Sequence, residues 1–244
     1  MQNIILFDTT GIHQEFLPLT FTRPVSDIRI GIFTIREKWE SRLPGIYSYD
    51  TADYLTVKYP MNIASNSFFI AGNVCPDEKL VAAISSLSEC ESLFYGDELI
   101  AFYGSLDAFR KKDFGVKHTL NEEPFMIRKL YDIFLKNGEA LEADYRYIVS
   151  SGKSEPLSAS NRVIGDPCFP DGTPKIFIEP GAVVECSALN VTKGPVYIGK
   201  DAEIMEGICI RAPFAACEHV VVNMGTKIYG ATTLGPYCKV GGEL

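Results

Sequence analysis

No part of this 244-residue sequence is apolar for long enough to cross a bilayer; the longest runs, such as Ile4 to Phe7, end after a few residues. The amino terminus lacks a basic region followed by an apolar core, so no secretion signal is expected and a cytoplasmic location follows. The seven cysteines stand at 75, 90, 168, 186, 209, 217 and 238 without a Cys-x-x-Cys pair, which argues against a disulfide framework and a zinc site. The four in the carboxyl-terminal region read as small hydrophobes. Positive charge is also short, 23 Lys and Arg against 31 Asp and Glu, and the net charge of −8 disfavours nucleic acid and anionic membrane as partners. An anionic small substrate would need a local basic island. Several catalytic signatures are missing as well: there is no Gly-x-Gly-x-x-Gly, His-Glu-x-x-His or Gly-x-Ser-x-Gly. Gly152-Lys153-Ser154 resembles the end of a P-loop, but Tyr147 stands where the first glycine is required. Asn190-Val191-Thr192 is a glycosylation sequon without a secretory route.

What is present is a ladder. Ile198, Ile204, Ile210, Ala216, Val222, Ile228, Leu234 and Val240 recur at intervals of six, and Ala202, Ile208, Phe214, Val220, Thr226, Thr232 and Cys238 form a second register four residues after each rung. A period of six fits neither the 3.6 of a helix nor the 2 of a strand and is the signature of a parallel β-helix, whose rungs stack coil on coil. Ile178 with Ala182 and Val184 with Ala188 extend the pattern, and a two-residue insertion sits around Lys193, Gly194 and Pro195.

The amino-terminal half reads as α/β. Asn3 to Phe7 is a buried strand that ends at Asp8 and runs into a loop with Thr9, Thr10 and Gly11, the first place to look for a ligand in a doubly wound domain. Residues 18 to 31 form an extended loop. Thr34 and Glu37 make a capping box for a helix that buries Ile35, Trp39 and Leu43 and stops at Pro44. Extended segments follow at 46–49 and 67–70, the second ending in Ala71, Gly72 and Asn73, with a hairpin at 92–103 turning on Gly96-Asp97. Helices are expected over 76–87, 105–112 and 127–135, the last burying Tyr131, Phe134 and Leu135; 139–149 is ambiguous. The domains are therefore an α/β domain over 1–160, a linker over 161–175 and a β-helix over 176–244.

The basic island is Arg23, Arg29, Arg36 and Lys38, set against Asp27 and Glu37 just after the first strand. Guanidinium groups bind phosphate through paired hydrogen bonds, and Asp27 could hold an arginine or ligate magnesium. The alternative is a surface loop braced by Arg–Asp pairs.

Pro18-Leu19-Thr20, then Thr22-Arg23-Pro24-Val25, then Gly31 and a helix resemble the opening of the sugar-1-phosphate nucleotidyltransferases. Followed by a hexapeptide ladder, this order resembles the bifunctional UDP-N-acetylglucosamine pyrophosphorylase and glucosamine-1-phosphate acetyltransferase family. The run from Arg23 to Trp39, Gly194-Pro195-Val196-Tyr197-Ile198-Gly199 and Met205-Glu206-Gly207 resemble that family's short bacterial variant. The resemblance covers about residues 1–43 and 160–244. It implies a Rossmann-like head and a left-handed β-helix, with UTP and a sugar-1-phosphate, N-acetylglucosamine-1-phosphate, as substrates. It also implies magnesium, a homotrimer, and acetyl-CoA for a full-length acetyltransferase domain. Arg23, Asp27 and Arg29 become the candidate catalytic residues, and Thr9, Thr10, Gly11, Lys38, Gly72 and Asn73 the candidate nucleotide-binding ones; no metal ligands are assigned. Asp8-Thr9-Thr10-Gly11-Ile12-His13 stands where the family has Gly-Gly-x-Gly-Thr-Arg, and Arg23 stands for its lysine. An acyl-transfer base is expected beyond Leu244, the chain reading as a fragment, with His219 at a solvated corner. The rival reading is a hexapeptide acyltransferase or trimer scaffold whose head binds nucleotide sugar without turning it over.

Overall fold

A computed structural model describes residues 2–242. The chain divides into two compact units, one made of 1–28 with 33–132 and the other of 29–32 with 133–244. Among the described residues no helix is long and apolar enough to cross a membrane.

The first unit is built on a six-stranded mixed sheet. Its strands are β1 Gln2–Phe7, β2 Gly45–Asp50, β3 Ser67–Ala71, β4 Glu91–Tyr95, β5 Glu98–Gly104 and β6 Val116–Thr119, in the order β2-β1-β3-β5-β4-β6. β1 is parallel to both β2 and β3, and β5 is antiparallel to both β3 and β4. Helices α1 Thr10–Glu15, α2 Ile35–Arg42, α3 Glu78–Ser85 and α4 Leu106–Lys111 connect the strands. The capping box of α2 forms in both directions, Thr34 N–H to Glu37 Oε2 at 2.7 Å and Glu37 N–H to Thr34 Oγ1 at 3.1 Å. Ile35, Trp39 and Leu43 are buried, and the indole of Trp39, the only tryptophan, donates to the Val74 carbonyl at 2.8 Å.

Three local expectations change: the 18–31 stretch is not extended throughout but holds 3-10 turns at Leu19–Phe21 and Val25–Asp27, the second tied by the Asp27 amide to the Pro24 carbonyl. The segment after β1 is a helix, because the Thr9 hydroxyl accepts the Ile12 amide and caps it. Within 127–135 only α5 Asp132–Leu135 is helical, and Tyr131, Phe134 and Leu135 are exposed. The reason is that Met126 bridges to Val74 and Ile127 hydrogen-bonds Asn73, while the Asp132 carboxylate takes the amides of Arg128 and Lys129.

The second unit holds α6 Asn137–Ser151, which resolves the ambiguous stretch, and three all-parallel four-stranded sheets of short strands. One sheet contains β7 Arg162–Ile164, β10 Ala188–Asn190, β13 Cys209–Arg211 and β16 Lys227–Ile228. The second contains β8 Ile176–Ile178, β11 Val196–Ile198, β14 Phe214–Ala216 and β17 Thr232–Leu234. The third contains β9 Val183–Val184, β12 Glu203–Ile204, β15 Val221–Val222 and β18 Lys239–Val240. The chain visits the sheets in turn, so every third strand returns to the same sheet, an order compatible with a parallel β-helix. β7 lies within the stretch whose composition suggested a linker.

The six-residue rule has a direct physical counterpart. Ile198, Ile204, Ile210, Ala216 and Val222 are buried, as are Ala202, Ile208, Phe214 and Val220 of the second register, and all belong to one apolar cluster. In register, Ile198 faces Ala216 and Ala216 faces Leu234, so aliphatic lies on aliphatic from coil to coil. The insertion is distributed: Leu189 faces Ile210, so the step from Val184 is one residue short of six and the step on to Ile198 is three residues longer than six. Of the four cysteines in this region only Cys217 is buried; Cys186, Cys209 and Cys238 are exposed, so the reading as small hydrophobes holds for Cys217 alone and the second register is not buried at Cys238. Cutting Ile204, fully buried in the cluster, to alanine is expected to cost about 2–5 kcal/mol, read as a shifted urea midpoint. A loss below about 0.5 kcal/mol would show that the column does not hold the unit together.

Candidate functional site

From β1 the chain goes first to β2 on one side and later to β3 on the other. In an open α/β sheet such a reversal leaves a crevice beyond the carboxyl ends of the two strands. A cleft of about 800 Å³ lies there. Phe7, Asp8, Thr9 and Thr10 line it from the end of β1, Asp50 from the end of β2, and Ala71 and Asn73 from the end of β3. Phe94, Asp97 and Glu98 close it from the β4–β5 hairpin, and Phe109, Arg110, Lys112 and Phe114 from α4 and the turn after it.

Asp8 is the hub of this region. Its side chain is 1 % exposed, and Oδ2 accepts the Val25 amide at 3.1 Å and the Thr51 hydroxyl at 2.8 Å. His13 Nδ1 stands 3.9 Å from the same oxygen, its Nε2 is 3.0 Å from the Tyr54 hydroxyl, and that hydroxyl donates to the Thr20 carbonyl. Asp8 Oδ1 and His13 Nδ1 are buried without a hydrogen-bond partner. A Cβ on Gly72 would lie 2.7 Å from Asp8 Oδ1 and 3.2 Å from the Phe7 carbonyl, so the residue after β3 must be bare for the carboxylate to fit.

Of the residues singled out from sequence, three line this cleft. Thr9, Thr10 and Asn73 line it; Gly11 is exposed on α1, and Gly72 is buried beside Asp8. The Asn73 side chain donates to the Ile127 carbonyl at 2.8 Å, so part of its polar capacity fixes the 125–127 segment. Lys38 is buried on α2. Arg23 is exposed and forms no ion pair or hydrogen bond with the described residues. Asp27 receives Arg36 Nε at 3.1 Å and the Tyr49 hydroxyl at 3.1 Å, which is the bracing alternative realised at that residue. Arg29 belongs to the second unit, where its guanidinium donates to the Ile32 carbonyl.

Sequence reasoning missed Asp8 as a centre, His13, Asp50, the α4 residues Phe109 and Arg110, and Lys112 at its end. A carboxylate at the end of a buried strand was a usable signal for Asp8. Nothing local marks Arg110, whose partner Asp50 is sixty residues earlier. Among the described residues no group of three or more His, Cys, Asp or Glu side chains is placed to hold a metal ion alone.

The Tyr49–Asp27 contact has a pH signature. Burial, with the Asp27 carboxylate adding to it, raises the Tyr49 hydroxyl well above its ordinary value. The folded state therefore keeps a proton that the unfolded chain loses near pH 10. Stability from this group is fully present below about pH 10 and is lost as pH rises through the raised value. Tyr49→Phe should flatten the alkaline limb of a stability–pH curve; an unchanged limb would remove Tyr49 as its source.

No curated protein matches the chain. The family model described as sugar nucleotidyl transferase matches residues 4–153, well over half the chain, covering the six-stranded sheet, the residues of the cleft and α6. The chain belongs to the sugar nucleotidyl transferase family.

Proposed function

We propose that the chain transfers the nucleotidyl group of UTP to N-acetylglucosamine-1-phosphate, giving UDP-N-acetylglucosamine and pyrophosphate, with the nucleotide bound in the cleft at the ends of β1 and β3. The observation that carries this is the cleft at the strand reversal of a chain whose family transfers nucleotidyl groups. A phosphate oxygen of the sugar phosphate attacks the α-phosphorus; the new O–P bond forms as the bond to the β-phosphate breaks, and pyrophosphate leaves. Such a reaction is run by positioning and by neutralising charge on the transferring group. Arg23, an exposed arginine whose donors are unspent, is the proposed cation for the reacting phosphate. Asp27 and Arg29 act by holding the 23–38 segment through their contacts with Arg36, Tyr49 and Ile32.

Magnesium fits this site in part. In triphosphate enzymes it takes one or two carboxylates and fills its shell with phosphate oxygens and water. Asp8, with one oxygen lacking a donor, and Asp97, on the rim, are the acidic groups that would hold it. It would supply charge neutralisation at the phosphates.

For the second unit we propose a left-handed parallel β-helix of hexapeptide repeats that assembles as a homotrimer, supported by the six-residue repeat and the sheet order. Light scattering after gel filtration should give three times the 27.0 kDa chain mass, and a monomer at micromolar concentration would end the trimer reading.

The rival reading, nucleotide-sugar binding without turnover, is favoured by one observation. No arginine or lysine lies in the loop after β1, where Asp8 stands in place of a glycine. A coupled pyrophosphate-release assay with UTP and N-acetylglucosamine-1-phosphate decides between them. Turnover that falls about ten-fold or more in Arg23→Ala is expected. Release no greater than that of the variant, together with nucleotide-sugar binding by calorimetry, would favour the rival.

A further inference from the structure

We infer that Arg110 and Lys112, at the carboxyl end of α4, are the phosphate anchor of the cleft, taking over from the segment after β1. This rests on the reading of the cleft as the nucleotide site. The segment from Asp8 to His13, the end of β1 and the start of α1, carries no lysine or arginine, and Asp8 places a carboxylate there, so an anionic ligand has to find its cations elsewhere. Two lie on the cleft wall. Arg110 Nη2 pairs with Asp50 at 2.7 Å, and its remaining guanidinium donors meet no acceptor among the described residues. Lys112 lines the cleft and is exposed, and its ammonium group forms no ion pair or hydrogen bond with them.

Both cations are held on a firm base. Phe109, between them and the sheet, stacks on Phe69 with ring centroids 4.1 Å apart and meets Phe7 edge-on at 5.2 Å. Packing of this kind fixes α4 and limits where Arg110 can point. Lys112 has φ 58° and ψ 30°, the left-handed region, at a helix end where glycine is the easy choice. The competing carboxylates are partly spent: Asp50 on Arg110, and Glu98 on Arg128 through bonds of 3.0 and 3.3 Å. The half-buried rings of Phe94, Phe109 and Phe114 line the same cleft and offer apolar faces to a base or sugar ring. The class of ligand is thus an organic phosphate, with its ring on the phenylalanines and its phosphate on Arg110 and Lys112.

Calorimetry with magnesium present tests this on the full chain, using UTP, uridine, N-acetylglucosamine-1-phosphate and N-acetylglucosamine as probes. Arg110→Ala should weaken the phosphorylated ligand about ten-fold or more, Lys112→Ala by less, and neither should change binding of the unphosphorylated partner. Which phosphorylated probe responds tells whether the anchor serves the nucleotide or the sugar phosphate. Lys112→Ala relies on an exposed side chain and covers the case in which Arg110→Ala fails to fold. Wild-type binding that both folded variants retain would overturn the anchor and leave the proposed function standing. No binding of any phosphorylated probe by the wild type would overturn the reading of the cleft and the anchor with it.

Discussion

Backbone amides that join no ladder must find another acceptor, and in residues 23–34 that need organises both units. In the first unit Asp8 takes the Val25 amide and Glu37 takes that of Thr34. In the second, Asn137 Oδ1 accepts the Gly31 amide at 2.9 Å and Asp144 Oδ2 the Ile32 amide at 2.9 Å. Asp144 is 1 % exposed, so losing it would leave a buried donor unmatched as well as a hole. Gly31 is forced twice over: its φ is +74°, and a Cβ would lie 2.5 Å from the Asp144 carboxylate and 2.7 Å from the Ala140 backbone. The arginines of this segment are thus carried on a backbone whose shape is set by side-chain oxygens distant in sequence.

That explains which parts of the molecule could be read in advance. The rungs follow a local rule, so their burial was legible from spacing; the helix at 35–42 was legible because Thr34 and Glu37 lie three residues apart. Asp8 with Thr51, Arg110 with Asp50 and Gly31 with Asn137 join residues dozens of positions apart, and no periodicity records them. Tyr131, Phe134 and Leu135 misled for the opposite reason. Their spacing is helical, but Ile127 and Met126 are already engaged by Asn73 and Val74, and the helix starts too late to use them.

The candidate site shows the same division. Thr9, Thr10 and Asn73 could be found because fold class alone points to the ends of the first strands. The aromatic and cationic wall from α4 could not, since its place beside those ends depends on the antiparallel return of β5 against β3. The charge pattern of the 23–38 stretch pointed to a single island, whereas its members differ in environment: Arg23 is exposed, Asp27 is bound to Arg36 and Tyr49, and Lys38 is buried.

The assignment of residues 29–32 to the second unit bears on how the chain can be divided. A cut at 132/133 yields no two self-contained pieces: the amino-terminal piece keeps Gly31 and Ile32 without the oxygens that receive their amides, and the remainder keeps Asn137 and Asp144 without those amides. The division between the units therefore does not fall at a single point of the chain, and a recombination point at 132/133 separates donors from their acceptors within the second unit.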